Sequence, residues 1–409
     1  MTYDFDTRTV SDLIAQGSHK WSAFGDAIAM WVAEMDLGIA PEIRDYLVNA
    51  AQRGALGYLP PREIPGIMNA VSDWLGQFGP APDPERMFLI PEVLSALRIT
   101  ITQFTAPDAP VIVPTPAYMP FLTLPGEYGR EVRQVPSIFR AGRWELDLEA
   151  LEAALTPGSL LILCNPWNPA GRCLSGAELD ALAAVVERRG ARVFEDCIHA
   201  PVLIDGTYVP YGPRSAATRA HTITATSATK GWNIPGLKAA QLIFYNDDDA
   251  ARYAPHANAW SSPTSTLGAR ATKIAFEEGR DWNRAVCSYI GETLRVVEER
   301  VQTWPGVRMA HVEGTYIAFL DFSEAEFVRA EKERARREGR EPKGAVAAIL
   351  EQAQVALTPG RASGAGFEQW ARMVLATPRA IALESLDRIE GLLESSCSQS
   401  STRLRGAGR

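Results

Sequence analysis

The stretch SLLILCNPWNPAGRCLSGAELDALAAVVERRGARVFEDC, residues 159–197, decides the fold. SLLILCNP (159–166) and ARVFEDC (191–197) are short apolar runs of the kind that form strands buried on both faces of a sheet. Between them Ser175 is placed to cap a helix running to Arg189, with Glu178 at the capping-box position and Gly190 as the stop. The unit reads as strand, helix, strand. Working outward, MFLIP (87–91), APVIVPTP (109–116), HTITATS (221–227) and QLIFY (241–245) supply further buried strands, and helical stretches separate most of the runs. This alternation predicts an α/β sheet.

Composition agrees with a large globular chain. At 409 residues two or three domains are expected, and 46% apolar against 22% charged residues excludes wholesale disorder. A net charge of -8 leaves no global positive field to hold a phosphate backbone, so no nucleic-acid partner is expected. No apolar run approaches the roughly 18 to 20 residues that cross a bilayer, and the acidic start MTYDFDTRTVSD has no apolar signal core. The expectation is a soluble, cytoplasmic protein with no membrane partner. Five cysteines, odd in number and far apart, suit reduced thiols. With no CxxC pair and no HExxH, no metal site is expected.

A long amphipathic stretch after Pro263 predicts one helix to about Gln302, halted by WPG (304–306), with a domain boundary near residue 286. The C-terminal remainder reads as α+β: strands around VRMAHV and TYIAFLDF (307–322), a charged helix, a strand at ARMVLAT (371–377) and a last helix to about Ser395. The charge run EFVRAEKERARREGREPK (326–343) interleaves Glu with Arg and lacks aromatic residues for base stacking, which predicts a solvated helix and loop. The predicted organisation is an N-terminal segment (1–46) packing with the small domain, a large domain (47–286), a small C-terminal domain (287–395) and a disordered tail (396–409).

Polar residues cluster at the carboxyl ends of the predicted strands, where open α/β sheets bind ligands. PTPAYMPF (114–121), NPWNPAG (165–171), EDCIH (195–199) and SATKGWNIPGLK (227–238) each follow a strand. In this order and spacing they resemble fold-type I pyridoxal 5'-phosphate enzymes of the aminotransferase class I/II group, and within it the MalY/PatB-type carbon–sulfur lyases. The subfamily's early KW, its WVADMDF, its GY, its DEIH and its SKTFNxxGL are echoed by Lys20 and Trp21, WVAEMDL (31–37), Gly57 and Tyr58, DCIH (196–199) and TKGWNIPGL (229–237). The similarity spans about residues 5–395.

The resemblance implies a large domain with a mainly parallel seven-stranded sheet flanked by helices, a smaller α+β domain, and bound pyridoxal 5'-phosphate. It implies that Lys230 forms the Schiff base with the cofactor and later removes the substrate Cα proton. Asp196 matches the carboxylate that keeps the pyridine nitrogen protonated. Asn168 matches the partner of the 3'-oxygen, Tyr118 the aromatic stacked on the ring, and His199 a neighbour of that oxygen or of Asp196. Ser227 and Lys238 match phosphate ligands, completed by the amides of Val93 and Leu94 at a helix start. Tyr58 matches a tyrosine that reaches the phosphate in the neighbouring subunit, which implies a homodimer. Arg372 matches the arginine that forks onto the substrate α-carboxylate.

The chain departs from the subfamily pattern at Glu92, where Gly is usual before the phosphate helix, and at Glu34, Trp167 and Cys197. Together these imply a remodelled pocket, shaped by residues around 31–37, 117–124 and 326–343, and a task other than housekeeping cystathionine cleavage. Cys197 reads as a buried thiol rather than a nucleophile paired with His199. The expected activity is α,β-elimination of an S-substituted L-cysteine to thiol, pyruvate and ammonia. Transamination, or decarboxylating or oxidative deamination, of such a conjugate is the first alternative, since relatives of this type work in antibiotic pathways such as lincosamide assembly. A pyridoxal-phosphate-binding regulatory protein is the second.

Overall fold

The computed structural model describes residues 3–406, with side chains over 3–396. Its centre is a seven-stranded sheet. From one edge to the other its strands are Met87–Ile90, Ala240–Phe244, Thr222–Thr226, Arg192–Asp196, Leu160–Cys164, Val111–Thr115 and Val132–Pro136. Ala240–Phe244 is antiparallel to both neighbours and the remaining pairs are parallel. All six runs read from the sequence are strands. The seventh, Val132–Pro136, lies at an edge with four of its five residues half-buried or exposed, so it lacks the continuous apolar run that marked the others.

The stretch 159–197 folds as its residues dictate. Ser175 and Glu178 form the reciprocal capping box of helix Gly176–Arg189, and Gly190 ends it in the left-handed region at φ 61°. The long helix expected after Pro263 is instead two, Thr266–Glu277 and Arg280–Val301. The break falls at Gly279, whose carbonyl accepts a hydrogen bond from the Trp232 indole at 2.8 Å. A Cβ on Gly279 would stand 2.7 Å from that indole nitrogen, so only glycine admits the contact. The second helix runs unbroken through residue 286.

The C-terminal part carries an antiparallel sheet ordered Arg308–Met309, Ile317–Asp321, Trp370–Val374, Thr358–Pro359. The charged helix Glu326–Glu338 packs against the last helix. That last helix, Arg379–Gly406, passes the expected end near Ser395. Of the tail expected to be disordered over 396–409, the backbone to 406 belongs to this helix, and residues 407–409 lie outside the described residues. Cys164, Cys173, Cys197 and Cys287 are free thiols. Among the described residues no helix is long and apolar enough to cross a membrane.

The N-terminal segment is stitched to the rest by buried polar contacts. Ile28–Ala29 pairs in parallel with Val355–Ala356, and the Asp36 amide donates to the Ala376 carbonyl at 2.8 Å. The Lys20 ammonium sits 2.6 Å from Asp36, both side chains almost wholly buried, and the Trp21 indole donates to the other Asp36 oxygen at 2.9 Å. Thus the KW pair and the Asp of the MDL motif are structural partners. Replacing Asp36 with Ala strands the Lys20 charge and is expected to cost about 3–5 kcal/mol in urea unfolding. A loss below about 1 kcal/mol would show the pair to be dispensable.

Candidate active site

The edge of the central sheet formed by the carboxyl ends of its parallel strands assembles the site. The parallel strands end there in Asp196, in Cys164 before Asn165–Asn168, in Thr226 before Ser227, and in Thr115 before Tyr118. Because Ala240–Phe244 runs the other way, its start brings Lys238 to the same edge. The strand Met87–Ile90 leads through Glu92 into helix Val93–Phe104. Between this edge and the C-terminal sheet lies a cavity of about 500 Å³. Val93, Leu94, Tyr118, Asn168, Asp196, His199, Ser227, Lys230, Lys238 and Arg372 all line it. Tyr58 does not; it stands fully exposed on a loop outside the cavity of its own chain.

Lys230 is open to the cavity but deep below the surface of the protein, and its ammonium donates to the Ala33 carbonyl at 2.8 Å. Burial, then the Arg372 charge, pushes it down to about 8, against the pull of Glu34 and Asp196. Asp196 is pushed up to about 7 by burial, although the Ile198 amide donates to it at 2.9 Å and Lys230 favours its charged form. His199 falls to about 3 through burial and the Lys230 and Arg372 charges, so it is neutral. Its Nδ1 is buried with no hydrogen-bond partner among the described residues.

Arg372 is buried on its strand opposite Thr358. One terminal nitrogen donates to the Trp31 carbonyl at 3.1 Å, the other reaches the Asn168 side-chain oxygen at 3.4 Å, and Nε has no partner among the described residues. No carboxylate pairs with it among the described residues, so its charge faces the cavity unneutralised. Burial lowers its pKa from the ordinary value. Tyr118 is held above the usual phenol value by burial.

Helix Val93–Phe104 begins without a side-chain cap, and Val93 and Leu94 of its first turn line the cavity together with Ser227 and Lys238. Ser227 donates to the Ala239 carbonyl at 2.7 Å and accepts from the Thr229 amide at 3.1 Å. Glu92 sits in the same cup. Its carboxylate bonds Lys238 at 2.9 Å and Arg98 at 3.2 Å; burial raises its pKa, but these two cations outweigh burial and hold it below the usual range. Glu92 therefore competes with any anion for Lys238. Replacing it with Gln is expected to tighten pyridoxal phosphate binding about tenfold in a fluorescence titration, since one nearby like charge disappears. Unchanged or weaker binding would contradict this.

Trp31 lies in the 31–37 stretch expected to shape the pocket, but its contacts, and the residues Tyr316, Asn233 and Thr358, were not singled out from sequence. Trp31 holds Arg372 through its carbonyl and also receives the Thr358 hydroxyl at 2.7 Å. Tyr316 donates to the same Ala33 carbonyl as Lys230, at 3.1 Å. Asn233, at φ 57°, clamps Met35 and Gly38 by three side-chain bonds, which keeps the segment carrying Ala33 over Lys230. Trp31 and Asn233 stood inside the quoted motifs, whereas Thr358 sits on a two-residue strand with no sequence signal. The 326–343 segment does not line the cavity, contrary to expectation, because its helix packs on the far helix Arg379–Gly406. Trp167 is buried, its indole donating to the Pro116 carbonyl at 2.8 Å, and Cys197 is a buried thiol bonded to the Ala225 carbonyl.

The donor set fits pyridoxal 5'-phosphate: an amine with a depressed pKa, a buried carboxyl at a strand end, a neutral imidazole with an orphaned nitrogen, and an uncapped helix start beside a lysine. The chain belongs to the aminotransferase class I and II family, whose model matches residues 27–389. The architecture is that of fold-type I pyridoxal-phosphate enzymes.

Among individual relatives, the chain is 31% identical over 385 residues to cystathionine beta-lyase of Corynebacterium glutamicum, covering 91% of this chain and 96% of that protein. It is 28% identical over 404 residues to cystathionine beta-lyase PatB of Bacillus subtilis, covering 95% and 100%. The solved structure of cystalysin from Treponema denticola, which contains pyridoxal 5'-phosphate, matches with TM-score 0.83 and 25% identity, covering 97% of this chain and 100% of that one.

Proposed function

We propose that this chain is a pyridoxal-phosphate-dependent carbon–sulfur lyase that cleaves an S-substituted L-cysteine by α,β-elimination. The observation that carries the reading is Lys230, a lysine pushed down to about 8 by burial and the Arg372 charge, which shares one cavity with Asp196 and Arg372. Lyase relatives that cover nearly the whole chain support the choice of reaction.

Lys230 and Asp196 would hold the cofactor at its two reactive ends, with Asn168, His199 and Tyr118 around the ring and Ser227, Lys238 and the amides of Val93 and Leu94 around the phosphate. When bound, pyridoxal phosphate supplies an electrophilic carbon for amines and an electron-accepting ring. Arg372 binds the substrate α-carboxylate, where its unpartnered Nε and its charge fix the amino acid. With a pKa near 8, Lys230 has a substantial neutral fraction at neutral pH and accepts the Cα proton. The Ala33 carbonyl holds that amine in place. The Cβ–S bond then breaks, its electron pair leaving with sulfur as the thiol. The three-carbon enamine takes up water, so that one conjugate and one water give one thiol, one pyruvate and one ammonium ion. Tyr58, exposed on its own chain, fits a role in the partner's site within a cytoplasmic homodimer.

The test is the fate of sulfur. The loaded enzyme given a panel of S-substituted cysteines should release thiol and pyruvate in equal amounts, read by mass. Sulfur retained in an oxo acid or an aldehyde would overturn elimination in favour of transamination or decarboxylating deamination.

A further inference from the structure

We infer that the group carried on the substrate's sulfur is apolar, an aryl or alkyl substituent, and that Trp31 and Phe24 select it. This rests on the lyase reading and adds a substrate class to it.

The charged groups that line the cavity are Arg372, Asp196, Lys230 and the Glu92–Lys238 pair. Arg372 marks where the α-carboxylate binds, and Asp196, His199, Lys230 and the Glu92–Lys238 pair occupy the sheet edge below. Among the other residues of the cavity wall, Phe24, Trp31, Val32, Met119, Leu357 and Pro359 are apolar, and the polar Thr358 between the last two donates its hydroxyl to the Trp31 carbonyl at 2.7 Å. Trp31 ties this wall to the reacting end, because its carbonyl accepts from Arg372 at 3.1 Å. The residue that positions the carboxylate-binding arginine therefore also lends the wall its indole. That indole cannot serve a polar ligand, as its N–H is taken by the Lys20 carbonyl at 3.0 Å. Its ring is held edge-on by His19 at 5.1 Å and by Phe24 at 5.3 Å. Phe24 is 40% exposed, a large apolar ring at the rim with no core to fill.

Cystathionine carries an ammonium and a second carboxylate at its far end. Against this wall neither finds a charged partner for the water it gives up, a penalty an apolar thioether does not meet. A benzyl group, by contrast, gains from stacking on Trp31 and Phe24.

The experiment compares three substrates on the cofactor-loaded enzyme by pyruvate formation: β-chloro-L-alanine, which needs elimination but no sulfur pocket, S-benzyl-L-cysteine and L-cystathionine. S-benzyl-L-cysteine should exceed cystathionine in kcat/KM by about tenfold or more. Phe24→Ser, and separately Trp31→Leu, should lower the ratio of the benzyl to the chloro substrate by about fivefold or more. Pyruvate from β-chloro-L-alanine together with equal or better use of cystathionine would overturn the substrate class while leaving the lyase standing. Variants that leave the ratio unmoved would overturn the roles of Trp31 and Phe24. No pyruvate from β-chloro-L-alanine would instead strike elimination itself, and this inference with it.

Discussion

Replacing Lys230 with alanine lowers thiol release by more than about a thousandfold, while the protein keeps its fold and still binds pyridoxal phosphate noncovalently. The size follows from the position. Lys230 is the amine of the cavity with a depressed pKa; the neighbouring cation, Lys238, is engaged by Glu92 at 2.9 Å and has nothing to hold it toward Cα. Folding should survive because the substitution removes a buried ammonium rather than an apolar contact, and because the Ala33 carbonyl it leaves still accepts the Tyr316 hydroxyl. The same burial makes a pH prediction for the wild type. Its folded pKa is lowered to about 8, so the neutral, nucleophilic amine becomes the major form above pH 8 rather than above about 10.4. Cofactor uptake, followed by its absorbance, should quicken as pH rises through about 8 and then level off. A K230A variant within tenfold of wild type, or uptake that keeps rising to pH 10, would contradict the assignment.

Asp196→Asn should be nearly as severe, with a loss of about a thousandfold and weaker cofactor binding. Asp196 is the last residue of its strand, paired in register with Cys164 on one side and Ala225 on the other, so it has little freedom to move. Burial makes its charge costly and pushes its pKa up to about 7. A protonated pyridine nitrogen opposite would offset that cost and hold the carboxylate ionised, whereas an amide offers no such charge. Asp196→Glu should recover part of the activity, and its spectrum should separate loss of cofactor from loss of chemistry. An Asn variant with near-normal turnover would show that the ring needs no ionic partner here.

Much of this arrangement was legible because it depends on local rules. Ser175, Glu178 and Gly190 obey capping chemistry that a short window of sequence displays, and the buried strands advertise themselves by unbroken apolar runs. The strand-end residues could be grouped because an α/β sheet collects its ligands at one edge. The features that stayed hidden depend on partners distant in sequence. Gly279 breaks a helix because of Trp232, which periodicity cannot see. Trp31 holds Arg372 through its backbone carbonyl, which carries no residue-type signal, and Thr358 is brought beside Arg372 by sheet register. Glu92 was visible as a departure, but its answer, an ion pair with Lys238, needed the antiparallel strand that delivers that lysine.

The most direct test of the central claim is to load the protein with pyridoxal phosphate, reduce it with borohydride, digest it and map the modified peptide by mass. A single pyridoxyl group on Lys230 is the expected result. A label on Lys238 or Lys20, or none at all after loading, would contradict it.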